Sequence, residues 1–322
     1  MRVAVLTSGG DAPGMNAAIR AVVRAGEARS LEVFGVRHGF TGLIGGELVR
    51  LRARDVGGII DRGGTMLGTT RCQELRTPAG QRAAVAQARR WELGGLVIIG
   101  GNGSQAGALA LHRGGLRVVG VASTIDNDLP GSDVTIGAMT ALDTALGAID
   151  RLRVTAASHE RVFLVEVMGR DSGHLALAAA IAGGAEAVLL PEFAVDPEAV
   201  ARDVRAAYER GKSHAIVVVA EGARLNADAL AAYFAEHRER LGFELRVTKL
   251  GHIQRGGSPG AFDRLLASRL GAAAVDAIAA GHHGVLIGTR GGESCTTPLG
   301  DVAEMRKPLD AGLVALEKQL AL

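Results

Sequence analysis

Two aspartates separated by a single residue are the side chains of this sequence with the clearest capacity for chemistry. Asp126 and Asp128 stand in the segment Ser123-Thr-Ile-Asp-Asn-Asp, directly after an apolar run typical of a β-strand. In an extended segment the two side chains would point to one side, roughly 7 Å apart. One carboxylate could then take a proton from a hydroxyl group while the other binds a divalent cation. An exposed polar turn is the alternative interpretation of the same segment.

Two glycine-rich segments have the composition of phosphate-binding turns. The first, Thr7-Ser-Gly-Gly-Asp-Ala-Pro-Gly, follows the first predicted strand and leads into a helix that begins at Met15. The second, Gly100-Gly-Asn-Gly-Ser, follows another predicted strand and also leads into a helix. Backbone N–H groups at such a turn and at the helix N-terminus favour an anion. A tight strand-to-helix turn without a ligand remains the alternative.

The second glycine-rich segment also matches a dinucleotide-binding pattern. Gly101, Gly103 and Ala106 fit G-x-G-x-x-G/A, and Asp126 lies twenty residues beyond Ala106. A nicotinamide-dependent dehydrogenase is therefore an alternative function. Two observations argue against it: the turn after the first strand lacks the pattern, and Asp126 is one member of a pair of acids.

Further charged residues flank other predicted strands. Met168-Gly-Arg170, Glu221 and His252-Ile-Gln-Arg255 come after strands, whereas Arg161 and Arg246 stand where strands begin. Guanidinium groups bind phosphate through paired hydrogen bonds, and carboxylates accept hydrogen bonds from hydroxyls. These residues suit a phosphorylated polyol as substrate, although any one arginine by itself is equally typical of a solvated surface.

Short apolar runs alternate with helical patterns along the whole chain. Strands are predicted at 3–7, 32–36, 96–99, 117–121, 162–167, 216–220, 245–250 and 285–287, and helical spacing occurs in 14–28, 78–92, 136–153, 197–210, 226–240 and 258–280. This repetition predicts an α/β fold with doubly wound, mostly parallel sheets. Ligands of such sheets bind at the carboxyl ends of the strands, where the glycine-rich and acidic motifs occur. The length of 322 residues predicts two domains.

Composition excludes several classes of protein. The 36 basic and 34 acidic residues nearly balance, and aromatic residues make up 3%, which argues against a nucleic-acid partner. Cys72 and Cys295 are too few for a disulfide framework and are predicted to be free thiols. The sequence shows no signal-peptide pattern, and its longest uncharged run, 94–111, is interrupted by the second glycine-rich segment. A cytoplasmic protein without a membrane partner is expected.

Six segments, taken in order, closely resemble the bacterial 6-phosphofructokinases. They are TSGGDAPGMNAAIR at 7–20, RGGTMLGTTR at 62–71, GGNGS at 100–104, STIDND at 123–128, ASHERVFLVEVMGR at 157–170 and LGHIQRGGSP at 250–259. The resemblance runs from residue 1 to about 308. It implies an α/β fold of two doubly wound, mostly parallel sheet domains. It further implies a discontinuous nucleotide-binding domain, 1–137 with 254–304, and a fructose 6-phosphate-binding domain, 138–253 with 305–322.

The activity that the resemblance implies is transfer of the γ-phosphoryl group of Mg-ATP to the 1-hydroxyl of fructose 6-phosphate. Asp126 would be the base toward that hydroxyl, Thr124 would position the substrate, and Arg71 and Arg170 would stabilise developing charge. Asn102 and Asp128 would form the Mg²⁺ site. The implied nucleotide-binding residues are Gly10, Phe40, Arg71, Cys72, Gly103 and Ser104. The implied substrate-binding residues are Thr124, Asp126, Asp128, Arg161, Met168, Gly169, Arg170, Glu221, Arg246, His252 and Arg255.

The resemblance also implies a homotetramer with shared sites, because the family's counterparts of Arg161 and Arg246 reach in from a neighbouring subunit. An effector pocket for ADP or phosphoenolpyruvate between subunits would use Arg20, Arg24, Arg153, Glu186, Arg210, Lys212 and His214. Three of its usual charged positions are occupied here by Ala53, Gly58 and Ser213. Because each charge-assisted hydrogen bond is typically worth roughly 1.5–3 kcal/mol, we predict weakened allosteric control.

Three positions near the acidic pair depart from the family's patterns. The ATP-using members have aspartate where this chain has Asn102, and an amide offers an oxygen ligand without negative charge, so a weaker Mg²⁺ site is expected. The pyrophosphate-using members have aspartate at Gly103 and lysine at Ser123. Gly103 therefore favours ATP, whereas Ser123 fits neither pattern. A pyrophosphate-dependent transferase and a poorly active regulatory paralogue that binds sugar phosphate remain the alternatives.

Overall fold

A computed structural model describes residues 1–241 and 245–321. The chain forms two compact units, each assembled from two separate stretches: Met1–Thr140 with Arg255–Lys307 is the first unit, and Ala141–Gln254 with Pro308–Leu322 is the second. The assignment of nucleotide to one unit and sugar phosphate to the other stays a prediction.

The described residues contain the following strands and helices. The strands are β1 (Arg2–Thr7), β2 (Glu32–Val36), β3 (Leu48–Leu51), β4 (Leu93–Gly100), β5 (Val118–Ala122), β6 (Val162–Val167), β7 (Ala187–Leu189), β8 (Ala215–Ala220), β9 (Leu245–Lys249), β10 (Val285–Arg290) and β11 (Glu293–Pro298). The α-helices are α1 (Met15–Ala28), α2 (Gly39–Gly45), α3 (Pro78–Arg90), α4 (Asn102–Arg113), α5 (Ala138–His159), α6 (His174–Gly183), α7 (Pro197–Glu209), α8 (Ala227–Glu236), α9 (Arg238–Leu241), α10 (Ala261–Ala279), α11 (Leu299–Glu304) and α12 (Ala311–Leu320). Short 3₁₀ helices span Glu74–Arg76 and Gly251–Arg255.

The first unit is built on a seven-stranded sheet in the order β11-β10-β5-β4-β1-β2-β3. The five central strands are parallel, and the edge strands β3 and β11 are antiparallel to their neighbours. Val5 pairs with Val97, and Ile99 with Val121, so β1, β4 and β5 end at the same edge. Residues 3–7 of β1 are all buried, as expected for a strand covered on both faces. The two glycine-rich segments and the acidic pair leave the sheet from this common edge.

The second unit is built on a four-stranded parallel sheet in the order β7-β8-β6-β9. Alternate residues of β6 pack into different cores: Phe163 and Val165 join one apolar cluster, while Val162 and Leu164 join another. Because strand side chains alternate between faces, these clusters lie on opposite sides of the sheet. The sheet is therefore covered on both faces, as in a doubly wound fold.

The predicted α/β class and all eight predicted strands are confirmed. Strands β3, β7 and β11 were not predicted; they are edge strands of three to six residues. Such strands bury few side chains and carry little apolar periodicity. Both cysteines are free, as predicted. Across 1–241 and 245–321, no helix has the length and apolar character needed to cross a bilayer.

Candidate active site

The loop after β1 packs its backbone directly against an arginine side chain. A Cβ atom placed on Gly10 would lie 2.5 Å from Nη1 of Arg255. The same Nη1 donates a hydrogen bond to the carbonyl oxygen of Asp11 at 3.1 Å. Gly9 and Gly14 both have positive φ, which lets this loop turn from the strand into α1. Glycine at position 10 therefore leaves the space that the guanidinium group of Arg255 occupies.

The loop after β4 is tied to the loop after β1 by Ser104. This residue is buried, and its Oγ donates to the carbonyl oxygen of Ser8 at 2.9 Å. Gly103, by contrast, is exposed in the first turn of α4, with open space where a side chain would stand. The hydroxyl proton of Ser104 is thus used within the protein, while the backbone around Gly103 is accessible.

The acidic pair does not lie in an extended segment. The chain turns at residues 125–126, where the backbone N–H of Asp126 donates to Thr124 Oγ1 at 3.2 Å. Asn127 follows with a φ of 50°, in the left-handed region that asparagine tolerates better than most residues. Local hydrogen bonding by Thr124 competes with strand geometry, so β5 ends at Ala122. The roughly 7 Å separation expected of an extended segment therefore does not apply to this pair.

Asp126 is nevertheless placed in a protected position. The residue is 7% exposed, and its Oδ1 lies 4.0 Å from Nη2 of Arg255. The Arg255 side chain thus spans from the loop after β1, at Asp11, to the turn after β5, at Asp126. A buried carboxylate beside a cation is a group that can accept a proton from a bound hydroxyl.

Asn102 and Asp128, the two residues expected at the metal, are in contact. Nδ2 of Asn102 donates to Oδ2 of Asp128 at 2.7 Å. Mg²⁺ is usually held by one or two carboxylates together with substrate phosphates and water, so one carboxylate and one amide oxygen fit this ion. In the part of the chain that the structure describes, no group of three or more His, Cys, Asp or Glu side chains forms a metal cluster. A cation at these two residues would need its remaining ligands from a bound phosphate group or from water.

Three predicted nucleotide-binding residues lie on or near α2 and the segment before the 3₁₀ helix Glu74–Arg76. Arg71 is exposed, and the hydroxyl of the nearby Thr69 donates to the carbonyl oxygen of Gly9 at 2.8 Å. Cys72 packs on the edge of the apolar core of the first unit. The ring of Phe40 is only 4% exposed and belongs to that core, so its side chain has a packing role.

The turn after β6 carries the predicted residues of the second unit. Gly169 and Arg170 have φ values of 145° and 51°, and Oε1 of Glu221 accepts from the backbone N–H of Gly169 at 3.2 Å and of Arg170 at 2.8 Å. The carboxylate of Glu221 therefore holds the turn, while the side chains of Glu221 and Arg170 are exposed. Met168 is buried.

Gly222 makes this turn possible. A Cβ atom at Gly222 would overlap the carbonyl oxygen of Arg170 and come close to the Asp171 backbone. Gly222 was not among the predicted site residues, because nothing in its sequence neighbourhood forms a motif. The close approach of two backbones, one after β6 and one after β8, is visible only in the folded chain.

Two predicted substrate-binding arginines lie away from this turn. Arg161 immediately precedes β6, and Arg246 pairs with Phe163 near the start of the same strand. Met168 follows the other end of β6, roughly 20 Å away at about 3.3 Å per residue. Within one chain, Arg161 and Arg246 therefore lie at the N-terminal ends of the strands. The other predicted substrate-binding residues of this unit lie at the carboxyl ends: Met168, Gly169, Arg170 and Glu221. His252 is exposed in the 3₁₀ helix Gly251–Arg255.

The predicted effector residues divide between the units. Glu186 is buried, and its carboxylate accepts from Nζ of Lys212 at 2.9 Å and from the backbone N–H of Ile216 at 2.6 Å. Arg210 donates to the carbonyl oxygen of Ala321 at 3.2 Å. Arg153, Glu186, Arg210, Lys212 and His214 belong to the second unit, and Arg20 and Arg24 lie one turn apart on α1 of the first.

A buried amide that the sequence analysis missed joins the strands that carry the site. Gln105 is 1% exposed, and its Nε2 donates to the carbonyl oxygens of Gly100 at 2.9 Å and Val121 at 3.3 Å. These carbonyls lie at the ends of β4 and β5. Gln105 therefore fixes the spacing between the second glycine-rich loop and the acidic turn. A glycine inside the predicted strand, Gly120, was the only sequence feature that pointed to this contact, because a Cβ atom there would overlap the Gln105 side chain.

The chain is similar in sequence to known proteins of one family. The sequence model of the family described as "Phosphofructokinase" matches residues 2–278. The chain is 56% identical over 322 residues to "ATP-dependent 6-phosphofructokinase 1" of Thermus thermophilus, covering 100% of this chain and 99% of that protein. It is 47% identical over 321 residues to the "ATP-dependent 6-phosphofructokinase" of Halalkalibacterium halodurans, with 100% and 99% covered.

Solved structures show the same fold. The crystal structure of Pichia pastoris phosphofructokinase in the T-state superposes with a TM-score of 0.90 at 36% identity, over 100% of this chain and 37% of that chain. A pyrophosphate-dependent phosphofructokinase from Marinobacter aquaeolei has a TM-score of 0.86 at 24% identity, over 97% and 86%, which shows the fold alone. The glycine-rich loops, the acidic turn and the full-length identity lead to one conclusion: the chain belongs to the phosphofructokinase family.

Proposed function

We propose that the protein transfers the γ-phosphoryl group of ATP to the 1-hydroxyl of fructose 6-phosphate, forming fructose 1,6-bisphosphate and ADP in glycolysis. The observation that carries the proposal is the buried Asp126 beside Arg255, in a chain 56% identical over its whole length to a protein named as an ATP-dependent 6-phosphofructokinase. Membership of this family argues against the nicotinamide dehydrogenase and against a poorly active regulatory paralogue.

The predicted catalytic residues divide the work of the reaction. Asp126 accepts the proton of the attacking hydroxyl, and Thr124 orients that group next to it. The loops at Gly10 and Gly103 bind the phosphates through backbone N–H groups, with Ser104 holding the two loops together through Ser8. Phosphoryl transfer depends mainly on positioning and on stabilising charge, so Arg71 and Arg170 act as the cations toward the transferred group.

The sugar phosphate is assigned to Met168, Gly169, Arg170, Glu221, His252 and Arg255. Glu221 uses Oε1 to hold the turn at Gly169 and Arg170, and its exposed carboxylate also accepts hydrogen bonds from substrate hydroxyls. Arg161 and Arg246 complete this site from a neighbouring subunit of a homotetramer, because within one chain they lie at the opposite edge of the sheet. The mass of the purified protein in solution, measured by light scattering, tests the tetramer; a monomeric mass with full activity would contradict it.

The identity of the phosphoryl donor is tested by comparing ATP with pyrophosphate. Purified protein is incubated with fructose 6-phosphate and either Mg-ATP or Mg-pyrophosphate, and fructose 1,6-bisphosphate is measured. We expect product with ATP and none with pyrophosphate, since Gly103 leaves open space where the pyrophosphate-using members carry aspartate. Product with pyrophosphate alone would identify a pyrophosphate-dependent transferase, and no product with either donor would refute the proposed activity.

Mg²⁺ is assigned to Asn102 and Asp128, where it would supply positive charge to the nucleotide's phosphates. Asn102→Asp adds a second carboxylate next to Asp128, and their mutual repulsion is relieved when the cation binds. We expect the variant to bind Mg²⁺ several-fold more tightly, with a larger rise in melting temperature on addition of Mg²⁺ than the unsubstituted protein shows.

Melting curves with and without Mg²⁺, together with Mg²⁺ titrations of nucleotide binding, measure this change. Asn226→Asp is the matched control, because it adds the same charge at the N-cap of α8, where aspartate caps as well as asparagine. An Asn102→Asp protein with unchanged dependence on Mg²⁺ would remove position 102 from the metal site.

Allosteric control is expected to be weak. Lys212 and Glu186 are paired with each other, and Ser213 stands beside them where the family carries a charged residue. We predict little or no inhibition by phosphoenolpyruvate, measured as initial rate at subsaturating fructose 6-phosphate, and stronger inhibition of Ser213→Lys. Strong cooperative inhibition of the unsubstituted protein at low effector concentration would contradict the prediction.

A further inference from the structure

The turn that carries Asp126 and Asp128 is closed by contacts within its own loop. Thr135 donates from its hydroxyl to the carbonyl oxygen of Thr124 at 2.6 Å and from its backbone N–H to Oδ1 of Asn127 at 3.0 Å. Asn127 lies between the two aspartates and holds a left-handed φ of 50°. Thr135 therefore holds Asn127, the residue between the two carboxylates, by a hydrogen bond to its side chain.

A lysine far along the chain contacts the same loop. Nζ of Lys307 donates to Oδ1 of Asn127 at 3.1 Å and to the carbonyl oxygen of Asp133 at 2.7 Å. Lys307 thus connects Asn127 and Asp133, although it follows them by 180 and 174 residues in the sequence. Lys307 is half-buried and belongs to the first unit together with the loop. Lys307 differs in exposure from the other three lysines of the chain, which are all exposed: Lys212, Lys249 and Lys318.

Burying the charged ammonium group of Lys307 costs desolvation free energy, which the carboxylates of the loop partly offset. Burial lowers the pKa of Lys307 to about 8, and the nearby carboxylates of Asp133 and Asp128 act in the opposite direction. An apolar side chain of similar length would avoid the desolvation. A lysine at this position is therefore better explained by what its ammonium group does to the loop than by packing.

We propose that Lys307 is a positioning residue of the catalytic loop: its ammonium group clamps Asn127 and Asp133, and thereby fixes the direction of Asp126 and Asp128. The inference rests on the proposed function, because its consequence is for phosphoryl transfer. A base must lie within hydrogen-bond distance of the hydroxyl it deprotonates, and a shift of about 1 Å can cost on the order of 100-fold in rate. Lys307 itself does not touch the substrate.

The test compares Lys307→Met, which keeps the length of the side chain but removes the donors, with Lys307→Arg, which retains a cationic donor. We expect Lys307→Met to lower kcat by 10- to 100-fold with KM for fructose 6-phosphate and for ATP changed less than threefold, and Lys307→Arg to recover part of the loss. Lys318→Met, on the exposed face of α12, is the matched control and is expected to keep full activity. Loss confined to KM, or an unchanged kcat in Lys307→Met, would overturn the proposal.

A double-mutant cycle with Asn127→Ala tests whether Lys307 affects kcat through its contact with Asn127. If Lys307 acts through Asn127, the double variant loses little more than Asn127→Ala alone, whereas additive losses would overturn the clamp. Hydrogen exchange of the amides in 124–135, measured without substrate, reads the same contact independently of activity. Faster exchange of the Thr135 amide in Lys307→Met supports the clamp, and unchanged exchange would refute it. If the unsubstituted protein forms no fructose 1,6-bisphosphate, the proposed function is refuted, but the exchange result still decides the clamp.

Discussion

Asp126→Asn is expected to lower kcat by 100- to 10,000-fold, the contribution typical of a positioned general base. The amide keeps the size of the side chain and its place beside Arg255, but it cannot accept the proton of the sugar hydroxyl. Because the residue is 7% exposed, bulk water does not readily take over the role. KM for ATP should change little, since the glycine-rich loops are intact. Product formation in single-turnover and steady-state assays measures both quantities.

The control for this substitution is Asp143→Asn, which makes the same chemical change at an exposed position on α5. It should leave kcat and KM within a factor of two. A loss of less than tenfold in Asp126→Asn would show that Asp126 is not the base, whatever the melting temperature of the variant.

Gly222→Ala is expected to have the second-largest effect, although residue 222 has no functional group. The added methyl would overlap the carbonyl oxygen of Arg170, so the turn at Gly169 and Arg170 must move away from Glu221. Forcing extra volume into a packed site costs typically about 1–3 kcal/mol of stability. The displaced Arg170 should lower kcat/KM for fructose 6-phosphate by about 100-fold, because misplacement of about 1 Å has an effect of that order.

The matched control is Gly147→Ala in the helix α5 of the same unit, where a Cβ atom meets no other atom within 4 Å. Alanine is a better helix former than glycine by about 1 kcal/mol, so this variant should melt at the same or a higher temperature with normal kinetics. Thermal melts and initial rates of both variants form the experiment. Normal kcat/KM in a folded Gly222→Ala protein would mean that the turn after β6 does not position the substrate.

Much of this architecture could be predicted from the sequence. Alternation of apolar strands with helical spacing predicted every central strand, because strands such as β1 and β8 are buried on both faces and read as continuous apolar runs. The glycine-rich segments and the acidic pair predicted a candidate site at the carboxyl ends of the parallel strands, since both kinds of motif follow such strands. The roles assigned to individual residues, the effector pocket and the tetramer stay predictions for the experiments above.

The sequence by itself determined the fold class, the family and the segments that form the candidate site, because periodicity and short motifs are properties of neighbouring residues. Only the tertiary structure decided the turn at Asp126 and Asn127, the hydrogen bonds of Lys307 to that loop and the close approach of backbones at Gly222. It also decided that Arg161 and Arg246 lie at the other end of β6 from Met168. Each of these depends on side chains or backbones brought together from distant parts of the chain. Distances of that kind are set by how elements pack, and no local pattern of residues encodes them.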